Sequence, residues 1–244
     1  MRHTFTLYKR ELASYFTQPT AYAIIVIFLA LSTGLTFTYG GFIRSDNANL
    51  QWSFFFWLPW IFMLLVPAVG IRFWAEELRS GTIELLGTLP ISLWPAIVGK
   101  FAAAATVWAV ALLLSFPIWI TVNFLGEPDN VQILSSYIGS YLVILVFLAL
   151  TMVISALSRD QVVCLIGAVA VCVFMVLGSH DTVVRELAKG LSQPVAEGLR
   201  AVGVWDHFQG FLRGTIRLQD LVWGIGLIAV GLVGTHTVLI AKRS

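Results

Sequence analysis

EELRSGTIELLGTLPIS, residues 76–92, lies between two strongly apolar runs, 52–75 and 101–124, and packs charged, small and apolar residues into one short interval. Wound as a helix at about 100° per residue, it places Leu78, Thr82, Leu85, Leu86 and Leu89 on one side. Glu76, Glu77, Ser80, Glu84 and Thr88 take the other. Gly81 and Gly87 fall on the polar side, where each weakens a helix by about 1 kcal/mol relative to alanine but lets another surface come close. Gly81 marks a break, which leaves a short helix from Thr82 to Leu89 with Glu84 in its first turn, where a carboxylate suits the helix dipole. Pro90 ends it, and Ser92 is placed to cap the next helix, with Pro95 tolerated in that helix's first turn. A helix with leucines inward and an acidic, glycine-indented face outward reads either as a docking surface for a separate protein or as a solvated linker between two spans.

The flanking runs decide what kind of molecule carries this patch. Of 244 residues, 58% are hydrophobic and only 11% charged, against about 25% charged in soluble domains, and the mean hydropathy is +0.87. Six runs, 21–43, 52–75, 101–124, 136–157, 161–179 and 221–240, are long enough, at about 20 residues each, to cross a bilayer as helices. Their middles lack Asp, Glu, Lys and Arg. The chain therefore reads as an all-α polytopic membrane protein, one membrane domain over 1–244, and an even number of spans puts both termini on one side. With the N-terminus inside, Arg2, Lys9, Arg10, Arg72, Arg79, Lys100, Arg159, Lys242 and Arg243 are cytoplasmic. They outnumber Arg44, Arg185, Lys189, Arg200, Arg213 and Arg217 on the other side, so the basic-residue bias makes residues 76–92 cytoplasmic. Charges within Met1 to Gln18 exclude a signal peptide there, and the first span itself directs insertion.

Ahead of that span, Phe5, Tyr8, Leu12, Tyr15 and Phe16 recur at helical spacing opposite Thr6, Arg10 and Ser14. Residues 1–18 thus form an amphipathic helix on the inner membrane surface, ending before Pro19. In the segment 180–220, Val184, Leu187 and Leu191 repeat at helical spacing, as do Val195, Leu199 and Val202 after Pro194. Asp206 is placed to cap a further short helix closed by Gly214, so this extracytoplasmic segment reads as short helices on the outer face. Cys164 and Cys172, eight residues apart on one apolar run, are too distant along a helix for a disulfide and read as small apolar fillers.

Several chemistries find no residues to carry them. The span interiors hold no carboxylate for ion coupling, and His236 alone of the histidines sits in a span, so paired haem ligands are absent. His180-Asp181 and Asp206-His207 lack a nucleophile elbow or a second histidine at metal-ligand spacing. Gly99-Lys100 is followed by Phe101 rather than completing a phosphate loop. The scattered basic residues and a net charge of +2 argue against nucleic acid. A polytopic protein without these is either passive or driven by something attached.

FWAEELRSGTIELLGTLPIS (73–92) closely resembles the segment between the second and third spans of type-2 ABC transporter permeases. In that family an acidic pair with a basic residue precedes a Gly-Thr-x-Glu-Leu-Leu run and a Pro-Ile-Ser ending. LYKRELASYFTQPTAY (7–22) resembles the family's connecting helix, and WDHFQGFLRGTIRLQDLV (205–222) resembles the segment before the last span in the branch associated with gliding motility and multicopper-enzyme maturation. The resemblance implies that 76–90 is a coupling helix fitting a groove on a separate ATPase subunit, with Glu76, Glu77, Arg79, Gly81, Thr82, Glu84, Leu85, Leu86 and Pro90 as contact residues. Gly87 departs from the family, where a bulkier apolar residue is usual. The resemblance further implies a bacterial inner (plasma) membrane location and a second permease subunit, identical or different. It also implies ATP and Mg bound by the partner rather than by this chain, contact with membrane lipid, and export as the direction. An accessory protein on 180–220 is a candidate partner. The alternative from another class is a non-transporting scaffold that anchors a cytosolic protein through the same patch.

Overall fold

The computed structural model describes residues 2–39, 50–81, 93–187 and 193–242, and the regular structure among them is helical throughout. Helix α1 (Arg2–Thr17) stops where Gln18 is extended, and Pro19 opens α2 (Pro19–Thr38). Proline biases the residue before it away from helix and fits a first turn that needs no N–H. The second run begins with α3 (Leu50–Ser53) and a 3-10 turn (Phe55–Trp57), then continues as α4 (Leu58–Gly70), with Pro59 in its first turn and Pro67 inside it. A turn over 71–74 leads into α5 (Ala75–Ser80). The third run divides into α6 (Trp94–Leu114) and α7 (Phe116–Leu125). Pro117 cannot extend the α-helical ladder, and the Ser115 N–H and hydroxyl both turn to the Leu112 carbonyl, at 3.1 and 2.7 Å.

Next come α8 (Asn130–Leu157) and α9 (Gln161–Leu177), each started by an aspartate. Asp129 accepts from the amides of Val131 and Gln132, and Asp160 from those of Val162 and Val163. The short helices expected within 180–220 are present as α10 (Asp181–Leu187), α11 (Gln193–Val202) and α12 (Val204–Leu212). Gly214, at φ +78°, closes α12, but its start corrects the sequence reading: Gly203 is the capping residue and Asp206 lies in the first turn. The last helix is α13 (Leu218–Ala241). Among the described residues, five segments are long and apolar enough to cross a membrane: Pro19–Thr38, Leu50–Ser80, Trp94–Leu125, Asn130–Leu157 and Leu218–Ala241. The sixth expected span, α9, has 17 residues, or about 25 Å against a hydrocarbon core of about 30 Å.

α8 is the axis of the bundle. Two thirds (67%) of its apolar window is buried, against 28% for α2 and 22% for α13, which lie at the periphery. α13 runs along α8 at a distance only glycine allows, since a Cβ on Gly224 would come within 2.6 Å of Leu142, and one on Gly231 within 2.8 Å of Ala149. Phe28, Phe62 and Trp108 meet with ring centroids 5.7 Å apart and lock α2, α4 and α6 together. Cys164 and Cys172 are buried and unbridged, in keeping with a packing role. Polar contacts gather at two ends. At the distal end the Phe211 carbonyl accepts from Ser135 and Ser136 at 2.7 and 3.3 Å, and Ser179 Oγ accepts from the Trp205 amide at 2.9 Å. The proximal end carries α1, α5 and the start of α6.

Candidate functional site

The proximal end is built around a turn that has to leave the bundle. After Gly70, packed against Thr151, the chain passes the C-terminal part of α8, where Ser155 Oγ donates to the Ile71 carbonyl at 3.1 Å. The same oxygen accepts from the Trp74 and Ala75 amides at 3.0 and 3.2 Å. Ser155 therefore caps α5 from another helix, satisfying amides that have no partner inside a helix's first turn. Trp74 is fully buried and Leu78 nearly so, which fixes the inner face of α5.

Lys100 sets the charge of this corner. It is only 7% exposed, with Nζ 2.8 Å from Glu77 Oε1, 3.4 Å from Glu11 Oε1 and 5.3 Å from the Trp74 ring centre. One ammonium thus joins a carboxylate from α1, a carboxylate from α5 and an aromatic face to the first half of α6. The desolvation that such burial imposes is offset only while the partners stay in place. α1 reaches α6 closely because Gly99 opposes the Tyr8 amide and Leu7, and Tyr8 Oη lies 3.1 Å from Thr106 Oγ1. Tyr15 is half-buried at the same corner. Burial first, then the Glu11 carboxylate, push its phenol up, and Arg72 opposes them, so the hydroxyl stays protonated. Arg72 donates to the Gln18 side-chain carbonyl.

The residues expected to meet a partner separate into three groups. Glu76, Arg79 and Gly81 lie together on the exposed face, and Gly81, at φ +72°, is the break expected there, with open space around it. Glu77, assigned to that outer face by helical winding, instead turns inward to Lys100. Thr82, Glu84, Leu85, Leu86 and Pro90, with the rest of 82–92, lie outside the described residues. Sequence reasoning missed Lys100 and Glu11 as members of this corner. The available signal was an acid at position 11 within the inward stripe of α1 that also carries Leu7, Tyr8, Leu12 and Tyr15.

The two histidine motifs are structural in geometry. His207 uses both ring nitrogens, at 2.8 Å from Asp220 Oδ1 and 3.2 Å from the Ala201 carbonyl, and stacks on Trp223. His180 sits against Trp60 and Trp205, with ring centroids 6.0 and 5.1 Å away. His236 stacks on Trp94 at 4.7 Å, the packing role expected of it.

A polytopic helical bundle with a charged turn anchored at one end is the layout of a multi-pass membrane protein. The family model described as ABC-2 family transporter protein matches residues 61–202, more than half of the chain, and the chain belongs to that family. The match contains α5, its cap and Lys100. No curated protein matches the chain. Membership implies partnership with an ATPase subunit.

Proposed function

We propose that this chain is the permease subunit of an ABC transporter, forming the substrate path and receiving force from a separate ATPase through residues 76–90. The observation that carries the reading is α5: its exposed Glu76 and Arg79 end at a left-handed Gly81, while its inner side is held by Ser155 and Lys100. An element anchored to α6 and α8 yet exposed at its tip is suited to pass displacement into the bundle. In this reading the proximal end and both termini face the cytoplasm, all six apolar helices cross, and two permease subunits, identical or paired, sit above two ATPases that bind ATP and Mg. Closure of the ATPases moves α5, α4 and α6 and opens a lateral or central path at the subunit interface, most simply for export of an apolar or amphipathic substrate. The narrower assignment to the gliding-motility and multicopper-maturation branch rests on 205–222, beyond the last matched residue, 202.

The test is co-purification of the tagged chain with its ATPase from the native bacterial inner membrane. Glu76→Lys, Glu84→Lys and Gly81→Trp are expected to lose the ATPase while still eluting as folded, monodisperse protein. Normal recovery of the ATPase with all three would reject the docking assignment.

A further inference from the structure

At the proximal end a groove of about 220 Å³ opens between the end of α1, the start of α2 and the end of α4. Its mouth carries Tyr15, Thr20 and Arg72, and its floor is apolar, with Ile24, Ala68 and Val69. Small residues on two helices keep the floor open. The mouth is cationic: Arg72 is exposed, and Gln18 takes one of its five N–H groups. The nearby acid, Glu11, is held by Lys100. Tyr15 keeps its proton and can donate. α2 is 20 residues long and begins here without a side-chain cap, which adds first-turn amides to the donors.

We infer that this groove is a binding site for an acidic glycerophospholipid, its phosphate held by Arg72 with the Tyr15 and Thr20 hydroxyls and one acyl chain lying over Ile24, Ala68 and Val69. Two matches select this occupant. A polar, positively charged mouth directly above an apolar floor at the boundary of two spans has the layout of a lipid's own headgroup and first methylenes. A net-anionic headgroup neutralises Arg72, whereas a zwitterionic one brings a second cation to the same mouth. Arg72 lies in the turn that leads to α5, so an occupied groove holds the corner from which α5 departs. The site depends on the chain's lying in a membrane and not on what α5 contacts.

The experiment is native mass spectrometry of the full-length chain released from nanodiscs containing equal amounts of phosphatidylglycerol and phosphatidylethanolamine. Wild type is expected to retain phosphatidylglycerol preferentially. Arg72→Gln should lower that retention about tenfold, the effect of losing a charge-assisted contact. Ala68→Phe, which fills the floor and leaves the charge, should lower it as well. Arg159→Gln, which removes an exposed arginine elsewhere, should leave retention unchanged. Equal retention of the two lipids by wild type, or phosphatidylglycerol retention unaffected by both Arg72→Gln and Ala68→Phe, would overturn the site. Displacement of phosphatidylglycerol by millimolar inorganic phosphate would overturn it too, in favour of a soluble anion. Because ATPase recovery is not the readout, failure here is separate from failure of the coupling assignment.

Discussion

Lys100 shows what a single residue decides in a bundle of this kind. Its two carboxylate partners are about four-fifths buried, so removing the ammonium strands negative charge where water cannot reach it fully. Lys100→Met is expected to destabilise the protein by about 3 kcal/mol in thermal unfolding in detergent. Adding Glu77→Gln to it should restore part of that loss, because the second change removes one stranded charge. A single Lys100→Met variant as stable as wild type would show that the cluster contributes nothing. This pairing was not legible in the sequence. Glu11, Glu77 and Lys100 are far apart along the chain, and helical winding treats 76–89 as an isolated rod whose charges all prefer water. Gly81 was legible, because a glycine after a short acidic segment has a local meaning that no tertiary contact changes: it supplies the left-handed conformation observed.

Among elements, hydrophobic runs found the membrane helices and polar side chains set their ends. The run 136–157 marked the apolar part of α8, but the helix starts at Asn130 because Asp129 caps it. The run 101–124 carries its own interruption, because Pro117, a candidate for a kink from the sequence, breaks the helix at Ser115. α5 is the least autonomous element, since six residues cannot sustain a helix alone. Its start depends on Ser155, which sits on a helix about 80 residues later. Ser155→Ala should cost about 1–2 kcal/mol through the unpaired Trp74 and Ala75 amides. Hydrogen–deuterium exchange across 71–80 should rise in that variant while exchange in the middle of α8 stays unchanged. Unaltered protection across 71–80 would mean that Trp74 burial and Lys100 hold α5 without the cap.

At the scale of the molecule, the topology turns on whether the 17-residue α9 crosses the bilayer. Its length argues against a crossing, and its contacts argue for one. The first turn lies beside the end of α8, where Cys164 Sγ approaches the Ser158 carbonyl and the Lys242 ammonium donates to Leu157, so it belongs to the proximal end. Just beyond its last turn, Ser179 accepts from Trp205 and His180 meets Trp60, so it finishes at the distal end. A helix whose two ends reach both polar rims runs the length of the bundle, and the proposed six-span layout meets the mismatch of a few ångströms by local thinning of the bilayer at modest cost. Single cysteines at exposed Arg159 and Arg217, in a background with Cys164 and Cys172 replaced, separate the alternatives. Arg159→Cys should react with a membrane-impermeant maleimide only in inverted vesicles, and Arg217→Cys only in right-side-out cells. Labelling of both from one side would remove the crossing by α9, place the two termini on opposite faces, and exclude a six-span permease.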